Sequence, residues 1–145
     1  MEDFARFENG EAVALEAVPR LPFPAFQDAV AEAVAQGTRL ACLCADGELA
    51  GYAILADAES HELLAARTVF PSPAFPSLVE RCAQAQLFER EIAEQRGLRP
   101  EGHPWMKPLR FHRAWDTGRD AWGRAEGAAI APGVLDFYRV EGEEI

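Results

Sequence analysis

The first half of the chain carries short runs of apolar residues, separated by polar or turn-forming residues. Two of these runs, 40–45 and 48–56, lie on either side of Asp46-Gly47. This arrangement predicts a β-hairpin, because Asp and Gly both accept the positive φ that a tight hairpin turn requires. A third run, 62–70, follows a polar link and predicts a third strand. The pattern therefore predicts an antiparallel meander of three strands.

An earlier and weaker alternation lies at Val13, Leu15 and Ala17, where apolar residues alternate with polar or small ones. It predicts a strand before the proline-rich stretch 19–24. If this strand pairs with the meander, the sheet has four strands rather than three.

A first helix is predicted near residues 24–36. Pro24 suits the first turn of a helix, where its missing N–H has no intrahelical partner to lose. Gly37 follows the helical pattern and is expected to adopt the left-handed conformation that often ends a helix. The apolar residues that recur at helical spacing between them are Phe26, Val30, Ala33 and Val34.

A second helix is predicted over residues 77–96, with a bend near 82–84. The stretch Ser77-Leu78-Val79-Glu80 has the form of a capping box, in which the serine oxygen and the glutamate satisfy free amides at the helix start. Gly97 is expected to end this helix. Its buried stripe is expected to consist of Leu87, Phe88 and Ile92.

After Gly97 the regular patterns stop, and scattered prolines and tryptophans fill roughly forty residues, which is longer than the loops of compact domains. We therefore predict an α+β domain at 1–112, with an antiparallel sheet of three to four strands and two main helices. Residues 113–145 are predicted to form an extended C-terminal arm. Because Trp115 and Trp122 lie in this arm, it is expected to lie against a partner, and residues 134–140 could add one more strand.

Composition and charge narrow the function. The chain has 145 residues, of which 49% are hydrophobic, a net charge of -10 and a pI of about 4.7. This acidic balance argues against nucleic acid and against an anionic membrane surface as partners. No apolar run reaches the roughly 20 residues of a membrane span, and the first residues do not have the pattern of a signal peptide. Three cysteines without framework spacing fit a reducing cytosol.

The cysteines are the first candidates for chemistry. Cys42 and Cys44 lie two apart in a predicted strand and therefore on one face of it. They could hold a metal only if further ligands converged on them, with Cys82 as a candidate third. The interpretation that we favour is that all three are small buried hydrophobic residues.

His103 lies between Gly102 and Pro104 and is therefore expected to sit in a turn. One interpretation is a metal- or small-ligand-binding module that uses His103, His112 and the cysteines. The interpretation that we favour is structural, in which the imidazole hydrogen-bonds the backbone or a carboxylate and fixes the turn.

Glu89, Glu91 and Glu94 raise the question of acid–base catalysis by paired carboxylates. Glu91 and Glu94 share a helix face, and Arg90 lies four residues before Glu94, where an exposed ion pair would contribute only about 0.3–0.5 kcal/mol. This pattern is typical of a solvated or subunit-contacting face, which we favour over catalysis. The sequence contains no phosphate-binding glycine loop and no Gly-x-Ser-x-Gly nucleophile motif.

The stretch from residue 89 onward resembles the signature of the 30 kDa subunit family of respiratory complex I, a subunit of its peripheral arm. That signature is Glu-Arg-Glu-x-x-acid, a helix-ending glycine, Gly-His-Pro and a basic residue four positions after the histidine. Residues 100–112 and the ending 137–145 resemble most a related branch, the N-terminal domain of the large subunit of membrane-bound, complex I-related NiFe hydrogenases of the formate hydrogenlyase and hydrogenase-4 type. The matching residues are Glu89, Arg90, Glu91, Glu94, Gly97, Gly102, His103, Pro104 and Lys107.

The resemblance implies a non-catalytic structural and assembly domain of a membrane-associated redox complex, either an NADH:quinone oxidoreductase or a group 4 NiFe hydrogenase. It implies that this domain holds no cofactor, whereas the parent complex carries iron–sulfur clusters and, in a hydrogenase, a NiFe centre. The implied partners are the large subunit and the iron–sulfur small subunit, on the cytoplasmic side and peripheral to the inner membrane. The arm would lead toward a large-subunit domain absent from this chain. The residues expected to contact the partners are the motif residues together with Trp105 and Arg110.

Overall fold

A four-stranded antiparallel sheet lies at the centre of the computed structural model, which describes residues 3–110 and Ala114. The strands are β1 (Ala5–Glu8), β2 (Arg39–Ala45), β3 (Ala50–Ala56) and β4 (Glu62–Val69), in the order β1-β4-β3-β2. The meander predicted from the sequence is confirmed as β2-β3-β4. The predicted α+β fold class is confirmed as well, since two helices accompany the sheet.

The fourth strand is not the one that the sequence predicts. Leu15–Ala17 form a 3-10 turn with no buried residue, and β1 pairs with β4 instead, so that Ala5 lies opposite Ala65. The predicted strand around Val13 is therefore wrong. The physical reason is that its apolar side chains find no core face, and Leu15 remains 46% exposed. Beyond β1, the edge of β4 is covered by the backbone near Pro19, whose carbonyl accepts the N–H of Arg67 at 2.9 Å.

The predicted hairpin between β2 and β3 is confirmed, but its turn differs from the predicted one. The positive φ falls on Leu49, at 64°, rather than on the Asp-Gly pair. The N–H of Asp46 donates to the carbonyl of Ala50 at 2.8 Å, which leaves three residues in the loop. The Asp46 carboxylate accepts the N–H groups of Glu48 and Ala50, both at 2.9 Å. This side chain therefore closes a three-residue loop in which only the last residue is left-handed.

Helix α1 (Phe23–Ala35) packs on the inner face of the sheet and agrees with the predicted helix within one residue at each end. Gly37 follows it with a φ of 105° and donates to the carbonyl of Val34 at 3.0 Å. The next N–H, that of Thr38, donates to the carbonyl of Ala33 at 3.1 Å. These two bonds are the Schellman arrangement, which confirms the predicted left-handed glycine.

The second helix is shorter than predicted. Helix α2 runs over Gln86–Arg96, and a 3-10 turn at Ala83–Ala85 precedes it in place of a bend. The predicted capping box is wrong, because Ser77 lies nine residues before the helix begins and its hydroxyl donates to Glu89 instead. Gly97 ends α2 with a φ of 65°, as predicted.

Two short strands, β5 (Ala74–Pro76) and β6 (Arg99–Glu101), form a parallel pair that the sequence patterns did not predict. They bring the residues after α2 back beside the residues before it. The core lies between the inner sheet face, the two helices and this pair. Its most deeply buried side chains include Phe26, Val30, Leu55, Leu64 and Phe75.

No helix within residues 3–110 combines the length and the apolar character that a membrane crossing needs. The predicted C-terminal arm apart from Ala114, the predicted strand at 134–140, His112, Trp115 and Trp122 lie outside the described residues.

Candidate functional site

Glu89 joins α2 by hydrogen bonds to the two residues that follow β5. It is only 1% exposed, and its Oε1 accepts the N–H of Leu78 while its Oε2 accepts the hydroxyl of Ser77, both at 2.6 Å. Burial raises the pKa of Glu89 above its ordinary value, and the hydrogen bonds from Ser77 and Leu78 only partly oppose that effect. Glu89 is therefore a buried structural carboxyl.

Arg90 binds the backbone of the segment that follows β6, residues 102–110, which we call the His-Pro segment. The guanidinium is buried, and its Nε donates to the carbonyl of Lys107 at 2.8 Å. One Nη donates to the carbonyl of Pro108 at 3.2 Å. The guanidinium carbon also lies 4.9 Å from the centre of the Trp105 ring, within the range of a cation–π contact.

Glu94 binds the same segment one helical turn further on. Its buried carboxylate accepts the N–H of Leu109 at 2.6 Å and that of Arg110 at 3.1 Å. Since residues four apart share a helix face, Arg90 and Glu94 form one continuous row of contacts. Within this row, Arg90 binds backbone carbonyl groups of the segment, and Glu94 binds the backbone N–H groups that follow them.

His103 joins the His-Pro segment to Gln86, the first residue of α2. Its Nε2 lies 3.0 Å from the carbonyl of Gln86, and its Nδ1 accepts the N–H of Trp105 at 3.0 Å. Because Nδ1 is the acceptor, the proton of the neutral ring is assigned to Nε2, which donates to Gln86. Gly102 precedes the histidine with a φ of 80°. The prediction that His103 fixes its own turn through the backbone is therefore confirmed.

The outer side of the His-Pro segment exposes large side chains. Trp105 and Met106 are 49% and 46% exposed, and the Lys107 ammonium lies 4.7 Å from the centre of the Trp105 ring. At the last residue of the His-Pro segment, Arg110 forms an ion pair of 2.6 Å with Glu91. An open groove of about 230 Å³ separates the segment from α2 and is lined by Arg90, Ala93, Glu94, Met106, Lys107 and Pro108.

Two predictions for α2 are corrected by this geometry. The sequence places Leu87 in the buried stripe, but it is 55% exposed, and Phe88 and Ile92 face the core without it. The acidic residues are expected on a solvated or subunit-contacting face, and the solvated alternative is wrong for Glu89 and Glu94, which are buried against N–H and O–H donors. The expected exposed pair of Arg90 with Glu94 is replaced by contacts of each with the His-Pro segment.

The cysteines do not gather around His103. Cys82 is buried, Cys42 is half-buried and Cys44 is exposed, so the prediction of three buried thiols is wrong for Cys44. Within residues 3–110, no group of three or more His, Cys, Asp or Glu side chains is arranged to hold a metal ion. Both ring nitrogens of His103 already have backbone partners.

Sequence reasoning missed two residues that build the site, Ser77 and Gln86, and a third, Gln84, that joins the turn before α2 to the sheet. Its pattern places Ser77 at a helix start, and the carbonyl of Gln86 carries no side-chain signal at all. Gln84 was likewise missed, although its Oε1 accepts the N–H of Leu40 at 2.8 Å and so covers the free edge of β2 beside α2. The prolines at 104 and 108 predict an extended segment after α2, but they do not indicate which groups bind it.

In chemical terms, the row of contacts holds a peptide segment in place. The carboxyl groups of Glu89 and Glu94 accept hydrogen bonds from donors of their own chain. Either group would have to break these hydrogen bonds before it could act as a general base and accept a proton from a substrate. Binding through backbone groups fixes the path of the segment while its side chains, Trp105 and Met106 among them, stay free to face outward. The site is therefore suited to displaying a surface.

Comparisons with known proteins identify the family of the chain. A family model described as respiratory-chain NADH dehydrogenase, 30 kDa subunit, matches residues 19–120. A solved structure of the trypsin-resistant fragment (1-134) of Nqo5, in P63 form, is similar in fold, with a TM-score of 0.53 and 22% sequence identity over 72% of this chain and 90% of that chain. No curated protein matches the sequence. Since the family model covers well over half of the chain, the protein belongs to the family of the 30 kDa subunit of respiratory-chain NADH dehydrogenase and is a subunit of a respiratory complex, associated with other subunits.

Proposed function

We propose that this chain is a structural subunit without a catalytic centre, and that it docks neighbouring subunits through the surface formed by α2 and the His-Pro segment. The observation that carries the proposal is the row of buried charged groups on α2. Arg90 and Glu94 direct their hydrogen bonds to four consecutive backbone positions, 107–110. Buried charge is costly unless it is paired, so this arrangement strongly constrains one path of the chain.

The displayed surface has the composition of an interface. Trp105, Met106 and Leu87 are large, apolar and half-exposed, and the cations of Arg90 and Lys107 flank the tryptophan ring. Tryptophan, methionine and arginine are enriched where protein partners meet, and a tryptophan next to a groove is a frequent energetic anchor. The open groove beside Met106 offers a place for one side chain of the partner.

The proposed partners are the large subunit and the iron–sulfur small subunit of the parent complex. We place the chain on the cytoplasmic side, peripheral to the inner membrane, with the iron–sulfur clusters held by the other subunits. The parent is either an NADH:quinone oxidoreductase or a related NiFe hydrogenase. A rigid subunit of this kind would keep cluster-bearing subunits in register without holding a cofactor.

Co-purification from the native host tests this proposal. The tagged full chain is expected to recover the large subunit and the iron–sulfur small subunit, and their identity distinguishes the two parent complexes. Trp105→Ala is expected to reduce the recovery by about tenfold or more, because loss of an interface anchor costs about 2 kcal/mol. Leu15→Ala is the matched control, since Leu15 is similarly exposed at 46% but lies on the 3-10 turn Leu15–Ala17 and not on α2 or the His-Pro segment.

Recovery of neither subunit by the wild-type chain would contradict the proposal. So would equal losses for Trp105→Ala and Leu15→Ala, since the α2 surface would then have no special part in docking. Turnover of a substrate by the purified chain alone would contradict the non-catalytic role.

A further inference from the structure

Lys107 is the only lysine in the chain. It is exposed on the outer side of the His-Pro segment, and its ammonium lies 4.7 Å from the centre of the Trp105 ring. The contact that holds the segment on α2 uses the backbone carbonyl of Lys107, which accepts the Nε–H of Arg90. The path of the segment therefore depends on the backbone of this residue, whereas its ammonium belongs to the exposed surface.

The stretch that contains Lys107 has more basic than acidic side chains, although the whole chain is strongly acidic. Residues 86–110, from the start of α2 to the end of the His-Pro segment, carry five basic and four acidic side chains, against 14 and 24 in the whole chain. All four acids of this stretch bind donors of their own chain, and they are Glu89, Glu91, Glu94 and Glu101. The stretch therefore offers a partner positive charge rather than carboxylates.

Trp105 adds a hydrogen-bond donor next to the ammonium. Its side chain is 49% exposed, and its backbone N–H donates to His103. In the part of the chain that the structure describes, no acceptor binds the indole N–H, a group that can only donate. The guanidinium carbon of Arg90 lies 4.9 Å from the centre of the same ring. Two cations and an indole N–H therefore lie together, and a carboxylate is the group that complements them.

The groove between α2 and the His-Pro segment lies beside these donors and is mostly apolar. Ala93, Met106 and Pro108 contribute apolar parts of its wall, and its volume is about 230 Å³. The charged groups in the wall include Arg90 and Glu94, which already bind backbone groups of the segment. The groove is therefore suited to a large apolar side chain, an aromatic one included.

We propose that this surface binds a segment of a partner subunit in which an acidic residue lies next to a large apolar residue. The carboxylate pairs with the Lys107 ammonium and accepts the indole N–H of Trp105, and the apolar side chain fills the groove. The proposal rests on the docking function proposed above and specifies the chemistry of the partner. A second copy of this chain is a poor occupant, because two chains with a net charge of -10 repel each other.

Carbodiimide cross-linking of the complex purified from the native host tests the proposal. The reagent joins an amine to a carboxyl group that touches it, and Lys107 supplies the only lysine amine of this chain. Peptide mass spectrometry is expected to find Lys107 linked to an aspartate or glutamate of a partner subunit, with a large apolar residue next to it. The proposal is overturned if Lys107 forms no link, or links only to its own chain or to a second copy of it.

Charge reversal separates this proposal from docking itself. In co-purification, Lys107→Glu is expected to lower the recovery of the partner subunits at least about tenfold, because like charges then meet at the interface. Arg20→Glu is the matched control, since Arg20 is an exposed cation beside β4, and it should recover the partners like the wild type. If Trp105→Ala lowers the recovery and Lys107→Glu does not, docking stands and the acidic partner is wrong. If neither variant lowers it, both proposals are wrong.

Filling the groove tests the apolar half of the proposal. Ala93→Met places a longer side chain in the groove and is expected to lower the recovery at least about fivefold, because the apolar side chain of the partner loses its space. Ala25→Met is the control, since Ala25 is exposed on α1. Equal recovery with the two variants would show that no partner side chain occupies the groove.

Discussion

At the scale of single residues, Glu89 shows how a charged helix position can serve the fold. Arg90 and Glu91 follow it in the sequence, so the local pattern predicts a solvated or subunit-contacting face. Its actual partners, Ser77 and Leu78, directly follow β5 and meet Glu89 only through the tertiary fold. The sequence contains both groups but not the tertiary contact that joins them, and the nearer residue Glu80 offered a competing local partner for Ser77.

Glu89→Gln is expected to change how stability depends on pH. In the unfolded chain the carboxyl titrates near its ordinary value of 4.5, whereas burial raises its pKa in the folded chain. The folded state therefore binds the proton more tightly, and this contribution to stability is complete below about pH 4.5 and is lost as the pH rises through the raised pKa. Urea unfolding of both proteins from about pH 4 to about pH 7 should show this loss in the wild type and not in the variant.

Glu89→Ala is the contrasting variant. It leaves the buried N–H of Leu78 without an acceptor and opens a space beside it, so a loss of about 2–4 kcal/mol in the free energy of unfolding is expected. An equal pH dependence in wild type and Glu89→Gln would show that the carboxyl is not perturbed by burial.

At the scale of elements, α2 and the His-Pro segment were predicted in outline and corrected in detail. Gly97 and the His-Pro turn could be read from local signals, since each constrains its own backbone. The contacts of Arg90 and Glu94 could not, because their partners are backbone groups and carry no side-chain pattern. β5 and β6 were not predicted because they contain Pro76 and Pro100, and a proline within a short run argues against a strand.

Glu94→Ala is expected to release the His-Pro segment while α2 remains folded. The N–H groups of Leu109 and Arg110 lose their acceptor, so their hydrogen exchange should become about tenfold faster or more, with a loss of about 1–3 kcal/mol in stability. Glu91→Ala is the matched control on the same helix. It removes only the half-exposed pair with Arg110, which should contribute less than about 1 kcal/mol.

Unchanged exchange at both amides in Glu94→Ala would contradict the role of Glu94 as the anchor. Similar effects of Glu91→Ala and Glu94→Ala would contradict it too, because the buried and the exposed carboxylate would then be equivalent.

A close approach within the sheet gives a further prediction. A Cβ at Gly51 would lie 2.8 Å from the Phe70 ring and 3.0 Å from the Thr68 side chain, so Gly51→Ala should lose about 1–3 kcal/mol of stability. Gly47→Ala is the control, since its Cβ would meet only the flexible Arg96 side chain at 3.9 Å. Denaturation midpoints of the two variants check the difference. Equal midpoints would mean that the sheet adjusts to the added methyl group.

At the scale of the whole molecule, the antiparallel meander and α1 were predictable because each follows from a local period and a local turn. The identity of the fourth strand was not predictable. It depends on whether the segment around Phe7 or the segment around Val13 reaches the free edge of β4, and the structure has the segment around Phe7 there. The family signature lies on α2 and the His-Pro segment, and the structure shows what two of its residues, Arg90 and Glu94, bind there. These two side chains fix the path of the His-Pro segment, on which Trp105 and Met106 are half-exposed.

Oxidative footprinting of Trp105 and Met106, in the free chain and in the complex purified from the native host, shows whether the surface of α2 and the His-Pro segment docks the partner subunits. Both side chains are half-exposed in the chain alone, and we expect their modification rates to fall at least about fivefold on assembly, because interface anchors lose contact with water. Leu15 should keep its rate in both states. Unchanged rates at Trp105 and Met106 in the assembled complex would show that another surface docks the partners and would contradict the account.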